Sequence, residues 1–498
     1  MAQPDNTRAN QPGRNHGKES LIMEVGQKVI KGLKVGAMFR LAAQIFTWLN
    51  TLILIRLLTP DDYGLMAMAM AFIGIFALVG DFGIAKAIIQ VKALSEETLK
   101  QAFTVNIISS LIFFLVFFLA APFIAEFFNE PRVTLLVQAV ACQHLIMIFH
   151  TLPYALASRN MLYKEREKVQ FYTTIATSIF TLALATTGFG VWALILGHLF
   201  MRAVSTIGFF WLQPCWFLPA MNFRGFSKIA AFSCLTTVND LLRYLYILFP
   251  SISIGRLMNK TDLGVFSVAR SLANLPSSKI GELLNHLCLS SFAKLQNERG
   301  VAGLYLLKST QLASLALFPL YLGMYATAPE LIPLMLSEKW APAIVPFQIL
   351  CLASPLNLLA EILSTATTAI GLPEKNTIVL LGTLLCLPAL LMCIQYGITG
   401  ICLALLAISF FSFATHIKVM LHIFEIKLAD YLIKLVPGFF SAGLMLVTLE
   451  VLRAELAGIL TPWTFLFLTV LSGAMIYLLT LLFFFRSTVI TAIGYLKH

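Results

Sequence analysis

The stretch Arg56-Leu-Leu-Thr-Pro-Asp-Asp-Tyr-Gly64 returns 200 residues later as Arg256-Leu-Met-Asn-Lys-Thr-Asp-Leu-Gly264. In both places this motif ends one long apolar segment and begins the next. A repeat at a fixed offset in a strongly hydrophobic chain indicates a membrane protein built from two related halves. Two-fold repeats of this kind are common in transporters, whose halves move around a central site.

The composition excludes an ordinary soluble domain. Of the 498 residues, 59% are hydrophobic and 12% are charged, whereas about 25% charged is typical of soluble domains. The segment 103–123 contains no charged residue, and about 20 apolar residues span a bilayer. We therefore predict an all-α polytopic membrane protein with about 14 transmembrane helices, in two parallel six-helix lobes plus two C-terminal helices.

The predicted organisation follows the repeat along the chain. Further echoes, such as Gln138 and Gln348, extend the repeat over six apolar segments in each half. Because six is an even number, the two halves share one orientation in the membrane. The predicted units are a disordered cytoplasmic tail (1–30), an N-terminal lobe (31–215), a C-terminal lobe (222–425) and two additional helices (430–488).

The distribution of basic residues predicts the orientation. Lys and Arg cluster in every second loop, and cytoplasmic loops collect these residues, so both termini are predicted to be cytoplasmic. The alternate loops hold only a few cations: Arg56, Arg132, Arg256, Lys260, Lys339 and Arg453. This topology accounts for the net charge of +11. No basic stretch outside the apolar segments is interleaved with aromatic residues, so no nucleic-acid partner is expected.

No motif of enzymes or metal sites occurs in the chain. The eight Cys include no Cys-x-x-Cys pair, and the His residues lack metal-ligand spacing. Gly-x-Ser-x-Gly, His-Glu-x-x-His and the nucleotide-binding Gly-x-x-x-x-Gly-Lys-Ser/Thr are also absent from the sequence. We therefore expect neither an enzyme nor an ATP-driven pump, and no metal or cofactor, although coupling to a proton or sodium gradient stays open.

Three stretches, 56–65, 81–90 and 188–199, resemble the polysaccharide transporter (Wzx-type flippase) family, with the closest likeness to its colanic-acid-exporter branch. The likeness runs from about Lys31 through the twelfth predicted helix. It implies membership of the multidrug/oligosaccharidyl-lipid/polysaccharide exporter superfamily, whose two six-helix lobes surround a central cavity. In one departure, Lys260 stands where the first motif has Pro60, so the second loop is expected to differ in geometry.

The resemblance also implies a function and partners. The family flips undecaprenyl-pyrophosphate-linked oligosaccharides from the cytoplasmic to the outer leaflet of the bacterial inner membrane, for exopolysaccharide, capsule or O-antigen. The expected partners are this lipid-linked oligosaccharide, membrane lipids, and the polysaccharide polymerase and export machinery. Two alternatives remain open: a cation-coupled multidrug antiporter of the same superfamily, and a membrane-embedded polysaccharide polymerase or ligase.

Polar residues at helical spacing in the apolar segments are the candidate site. A charge at the bilayer centre costs at least about 2.5–3.5 kcal/mol, so these residues should face a watery cavity or each other. Guanidinium groups make bidentate bonds to phosphate and carboxylate oxygens, and the candidates are Arg40, Arg243 and Arg270. These cations favour an anionic substrate over the cations of an antiporter.

Four carboxylates are candidates for ion coupling or for pairing with cations: Asp81, Asp240, Glu282 and Glu361. A carboxylate desolvated in a cavity has a raised pKa and can exchange protons near neutral pH. Arg40 and Asp240 occupy equivalent positions of the repeat, so we expect them to face each other across the cavity. The charged stretch 164–168 is interpreted as a solvated cytoplasmic loop.

Overall fold

A computed structural model describes the backbone of residues 13–80, 88, 95–217, 219, 227–294, 298–456 and 459–490. Side chains are described for residues 35–72, 88, 95–217, 219, 241–277, 292, 298–372, 374–456 and 459–490. Every regular element within these ranges is a helix. Eleven of the described segments are long and apolar enough to cross a membrane. The prediction of an all-α polytopic membrane protein is therefore confirmed.

Among the described residues, the first half contains six long helices. They are α1 (Gly13–Leu57), α2 (Pro60–Gly80), α3 (Glu96–Phe128), α4 (Val133–Ala141 continued by Gln143–Arg159), α5 (Tyr163–Thr186) and α6 (Val191–Leu212). Within this half, α5 packs against α1 and α6, while α4 packs against α3 and α6.

The second half repeats this arrangement and adds two helices. Its helices are α7 (Ser227–Leu257), α8 (Lys260–Lys294), α9 (Arg299–Leu336), α10 (Ile344–Ala369), α11 (Pro373–Leu385) and α12 (Gly397–Phe424), followed by α13 (Leu428–Leu456) and α14 (Pro462–Phe484). A 3₁₀ turn, Glu338–Ala343, precedes α10, and a short helix, Ala389–Met392, follows α11.

The repeat is visible in the packing as well as in the sequence. In the first half, the Gln138 amide of α4 donates to the Phe118 carbonyl of α3 at 3.5 Å. In the second half, the Gln348 amide of α10 donates to the Tyr325 carbonyl of α9 at 3.1 Å. The same residue type thus ties the fourth helix of each half to the third.

The two C-terminal helices pack along α9. Near one end of α9, the Arg453 guanidinium lies 3.0 Å from Glu330 and also bonds to the Ala326 carbonyl. Farther along, the Tyr477 hydroxyl of α14 donates to the Leu315 carbonyl at 2.7 Å. Gly438 lets α13 approach the backbone of α9 so closely that a Cβ there would overlap Ser314.

Several helices extend beyond the apolar segments from which they were predicted. The α1 helix begins at Gly13 and α9 begins at Arg299, each in a polar stretch that precedes the apolar segment. Residues 164–168 lie in the first turns of α5, so the loop interpretation was wrong. Hydropathy marks where the bilayer ends, whereas helical hydrogen bonding continues into water for as long as the backbone allows.

Candidate functional site

The repeated motif builds the same N-terminal cap on two equivalent helices. At α2, the Thr59 amide and hydroxyl donate to Asp62 at 2.9 and 2.7 Å, and the Asp62 amide donates back to the hydroxyl of Thr59. At α8, the side chain of Asn259 both donates to Asp262 and accepts from its amide, each at 2.8 Å. This reciprocal arrangement is a capping box, which satisfies backbone donors at the start of a helix.

The caps of the two halves contact each other through glycine. A Cβ on Gly64 would overlap the Lys260 carbonyl, and a Cβ on Gly264 would overlap the Pro60 carbonyl. The first turns of α2 and α8 are therefore in backbone contact, which only residues without a side chain permit. We call this junction, formed by residues 59–64 and 259–264 with their neighbours Glu130 and Lys339, the closed end.

Ion pairs and hydrogen bonds reinforce the closed end between the halves. The Lys260 ammonium lies 2.8 Å from the Glu130 carboxylate, which also binds Arg132 at 2.9 Å. Arg132, together with Lys260, lowers the pKa of Glu130 to about 2. The Thr261 hydroxyl donates to Asp61. The expectation that the absence of proline changes the second loop was wrong: Lys260 keeps the cap and adds an ion pair between the halves.

The 3₁₀ turn before α10 holds the end of α1 at the same junction. The Lys339 ammonium donates to the Arg56 carbonyl at 2.6 Å, and the Trp340 indole donates to the Ile55 carbonyl at 2.7 Å. Trp340 is fully buried and packs edge-on against Tyr63. Arg256 of the second half completes the junction by donating to the Phe127 carbonyl at 2.7 Å.

The charges predicted for the cavity pair within each half. Arg40 of α1 lies 2.9 Å from Glu167 of α5, and Arg243 of α7 lies 3.3 Å from Glu361 of α10. The Arg40 and Arg243 side chains are 53% and 63% exposed, respectively. Arg40 is 17 residues and Arg243 is 14 residues before the end of its helix, or about 25 and 21 Å from the closed end at 1.5 Å per residue.

The third cation candidate, Arg270 of α8, has a different environment. Its guanidinium donates to the Ile247 carbonyl of α7 at 2.7 Å and lies 5.8 Å from the centre of the Phe266 ring. Asp240, which was expected to face Arg40, lies outside the described side chains, as do Asp81 and Glu282. Of the predicted carboxylates, the structure therefore describes the contacts of Glu361.

An apolar groove of about 460 Å³ lies between the halves. The first half contributes Trp48 and Leu52 of α1. The second half contributes residues of α8, α9 and α10: Leu272, Leu275, Pro276, Leu320, Met324, Leu331, Ile332, Met335, Leu336 and Phe347. Every one of these side chains is apolar apart from the indole nitrogen of Trp48, so the groove suits a hydrocarbon chain.

A second cavity, of about 310 Å³, lies inside the first half and was missed by the sequence analysis. Its lining combines Arg202 with His150 and several hydroxyl and amide groups of α4, α5 and α6. The available signal was the spacing of His198, Arg202 and Ser205, which places all three on one face of α6. Treating the His residues singly hid that pattern.

The sequence of this chain matches a known protein family. A family described as "Polysaccharide biosynthesis protein" matches residues 53–345, which is more than half of the chain. The chain belongs to this family. The matched region runs from the end of α1, through the closed end and α7 with Arg243, to the start of α10.

Two curated relatives agree with this assignment. The lipopolysaccharide biosynthesis protein WzxC of Escherichia coli (strain K12) is 24% identical over 343 residues, covering 67% of this chain and 68% of the relative. The succinoglycan biosynthesis transport protein ExoT of Rhizobium meliloti (strain 1021) is 22% identical over 293 residues, covering 58% of this chain and 59% of the relative.

Solved structures share the fold. The lipid II flippase MurJ in an inward closed conformation superimposes with a TM-score of 0.73 at 13% identity, covering 91% of this chain and all of that one. An inward-facing multidrug resistance MATE transporter gives a TM-score of 0.57 at 17% identity, covering 85% of this chain and 99% of that one. These similarities concern the arrangement of helices.

Proposed function

We propose that this protein translocates an undecaprenyl-pyrophosphate-linked oligosaccharide across the bacterial inner membrane for the synthesis of a surface polysaccharide. The observation that carries the proposal is the combination of two exposed guanidinium groups, one on the first helix of each half, with an apolar groove between the halves. A lipid-linked oligosaccharide has the matching parts: an anionic pyrophosphate and a long hydrocarbon tail. The names of the curated relatives support the same substrate class.

The pyrophosphate would contact Arg40 and Arg243. A guanidinium offers a planar fork of donors to phosphate oxygens. At present Glu167 and Glu361 occupy these two groups. Both arginines are more than half exposed, so substrate oxygens can replace the carboxylates without unpacking a helix. We assign Arg270 a positioning role, because its guanidinium holds α8 against α7.

The polyprenyl tail would lie in the apolar groove. Trp48, which lines the groove, is eight residues from Arg40 along α1, or about 12 Å at 1.5 Å per residue. A lipid whose pyrophosphate contacts Arg40 therefore reaches the groove with the first isoprene units of its tail. Because the tail is already in hydrocarbon when it lies in the bilayer, packing against these side chains, and not removal from water, would hold it there.

Transport would proceed by alternating access between the two lobes, 31–215 and 222–425. With both termini cytoplasmic, the closed end faces the periplasm, and the substrate enters from the cytoplasmic side. The closed end then separates while the opposite ends of the lobes approach. Glu361, the partner of Arg243, is the carboxylate through which a proton or sodium gradient would be coupled to transport. The polysaccharide polymerase and export machinery would receive the product.

The direct test is translocation of a fluorescent lipid-linked oligosaccharide in proteoliposomes, with membrane-impermeant reduction reporting the exposed leaflet. We expect wild-type translocation and a loss of roughly tenfold or more for Arg40→Ala and for Arg243→Ala, because a hydrogen bond to a charged group is worth about 1.5–3 kcal/mol. Arg299→Ala, at an exposed arginine of the α9 start, is the matched control.

Other outcomes of this assay separate the alternatives. Export of a lipophilic cation without movement of the lipid-linked oligosaccharide would establish the multidrug antiporter instead. Wild-type rates from both Arg40→Ala and Arg40→Lys would remove Arg40 from the site. Indifference to imposed proton and sodium gradients would rule out ion coupling through Glu361.

A further inference from the structure

The cavity inside the first half is distinct from the interface between the halves. It lies among α4, α5 and α6, and its polar lining consists of His150, Thr151, Tyr154, Gln170, Arg202 and Ser205. None of these residues belongs to α1, α7 or α8. Tyr154 is five residues from the end of α4 and Ser205 is seven residues from the end of α6. The cavity therefore lies toward the end of the bundle opposite the closed end.

The Tyr154 and Ser205 hydroxyls of this cavity bond to neighbouring side chains, whereas the Thr151 hydroxyl donates to the Met147 carbonyl at 3.1 Å. The Tyr154 hydroxyl accepts from Arg166 at 3.0 Å, so its own proton is directed elsewhere. Arg166 also stacks on the Tyr154 ring, 4.8 Å from its centre, which fixes the ring. The Ser205 hydroxyl lies 3.3 Å from His150 Nε2. Ser205 and Thr151 are 8% and 3% exposed, so the site is built into the packed lobe.

The charge of the lining selects the sign of the ligand. Arg202 is the charged residue among the nine that line the cavity, and none of the nine is a carboxylate. A cation would be repelled by this guanidinium. The lining offers a metal ion one imidazole, that of His150, whereas metal sites combine several Cys, His or carboxylate ligands. An anion gains from both the guanidinium and the surrounding donors.

We propose that this cavity is a binding site for a small oxyanion of the phosphate or carboxylate class, held by Arg202 with Tyr154, Ser205 and Gln170. The planar guanidinium fork matches two oxygens of such an anion, and the hydroxyl and amide groups match the remaining oxygens. The site belongs to one lobe and does not depend on the lipid substrate. Its ligand is either free phosphate or a carboxylate borne by a sugar.

The test uses purified full-length protein in detergent without any lipid substrate. Thermal unfolding is followed while phosphate replaces chloride at constant ionic strength, and in separate arms with glucuronate and with glucose. We expect saturable stabilisation by phosphate or by glucuronate and none by glucose. Stabilisation by phosphate identifies an inorganic anion, and stabilisation by glucuronate alone identifies the acidic sugar.

Variants assign the effect to this cavity. Arg202→Gln should weaken the apparent affinity roughly tenfold or more, since charge-assisted hydrogen bonds are worth about 1.5–3 kcal/mol. Arg299→Gln, at an exposed arginine of the α9 start, should bind as the wild type does. If Arg202→Gln does not fold, Tyr154→Phe and Ser205→Ala should each weaken binding by a few fold. Wild-type protein that binds neither anion, or variants that all bind equally, would overturn the proposal.

Discussion

The side chains of the closed end make contacts between the two halves, whereas the ion pairs of Arg40 and Arg243 with Glu167 and Glu361 each lie within one half. At the closed end, Lys260 reaches from the second half to Glu130 of the first, and Gly64 and Gly264 bring two backbones into contact. Arg40 of α1 and Arg243 of α7 lie about 20–25 Å from the closed end. They pair with Glu167 and Glu361 of their own halves. The closed end thus joins the halves through its own residues, and beside Arg243 the Tyr244 hydroxyl of α7 also donates to the Ala71 carbonyl of α2 at 3.1 Å.

This difference shows how one fold can hold two lobes together and still let them move. Backbone contact between glycines is highly specific, but the ion pairs around it are partly exposed, and such pairs are worth only about 0–1 kcal/mol each. The glycine contact fixes the geometry of the junction when it is closed, and the weak ion pairs around it allow the two halves to separate there. Because the pairs of Arg40 and Arg243 with Glu167 and Glu361 each lie within one lobe, a movement between the lobes does not by itself break them.

The largest expected effect comes from adding a single methyl group at the closed end. In Gly64→Ala, the new Cβ overlaps the Lys260 carbonyl, and overpacking a tight contact costs about 1–3 kcal/mol. The halves cannot then close at this end, so we expect translocation to fall roughly tenfold while each lobe stays folded. Gly443→Ala is the control, because a Cβ there meets no atom within 4 Å. Equal activity of the two variants would refute the role of the glycine contact.

A charge exchange tests whether the central pairs do more than stabilise. Arg243→Glu combined with Glu361→Arg rebuilds an ion pair with the guanidinium moved to α10. The Arg243 side chain is 63% and the Glu361 side chain 26% exposed, so rebuilding the pair should change the thermal unfolding temperature little. Translocation should remain roughly tenfold low, because the substrate would lose a donor worth about 1.5–3 kcal/mol at residue 243. Recovery of full transport would make the pair structural only.

A smaller effect is expected when the two motifs are made alike. Lys260→Pro restores the proline of the first motif at the first helical position, where proline is well tolerated. Lys260→Pro and Lys260→Gln should lower the free energy of unfolding by the same amount, on the order of 1 kcal/mol, because both variants lack the ion pair with Glu130. Chemical denaturation of both variants measures this. Marked unfolding of Lys260→Pro alone would show that the two caps are not equivalent.

The sequence predicted the repeat and the parallel halves because these depend on hydrophobic periodicity and local motifs. The ion pair of Arg40 with Glu167 could not be predicted in the same way. Equivalent residues of two halves touch only near the axis that relates the halves, as Gly64 and Gly264 do. Away from the axis the nearest partner comes from a neighbouring helix, and α5 carries Glu167 to Arg40 because it begins at Tyr163.

The inner cavity was missed for a related reason. Its residues come from α4, α5 and α6, and no single segment of the sequence contains the cluster. Only the α6 part, with Arg202 and Ser205 on one face, was visible as a pattern. The groove was equally hidden, because ten of its twelve side chains are ordinary apolar residues from three helices of the second half.

The central claim, that the closed end must separate during each cycle, is tested most directly by a cross-link. Asp61 and Thr261 share a hydrogen bond between the halves, so cysteines at both positions, in a background without native cysteines, should form a disulfide. We predict that oxidation stops translocation in proteoliposomes and that reduction restores it, while each single cysteine variant is unaffected by oxidant. Undiminished translocation by fully cross-linked protein would contradict the account.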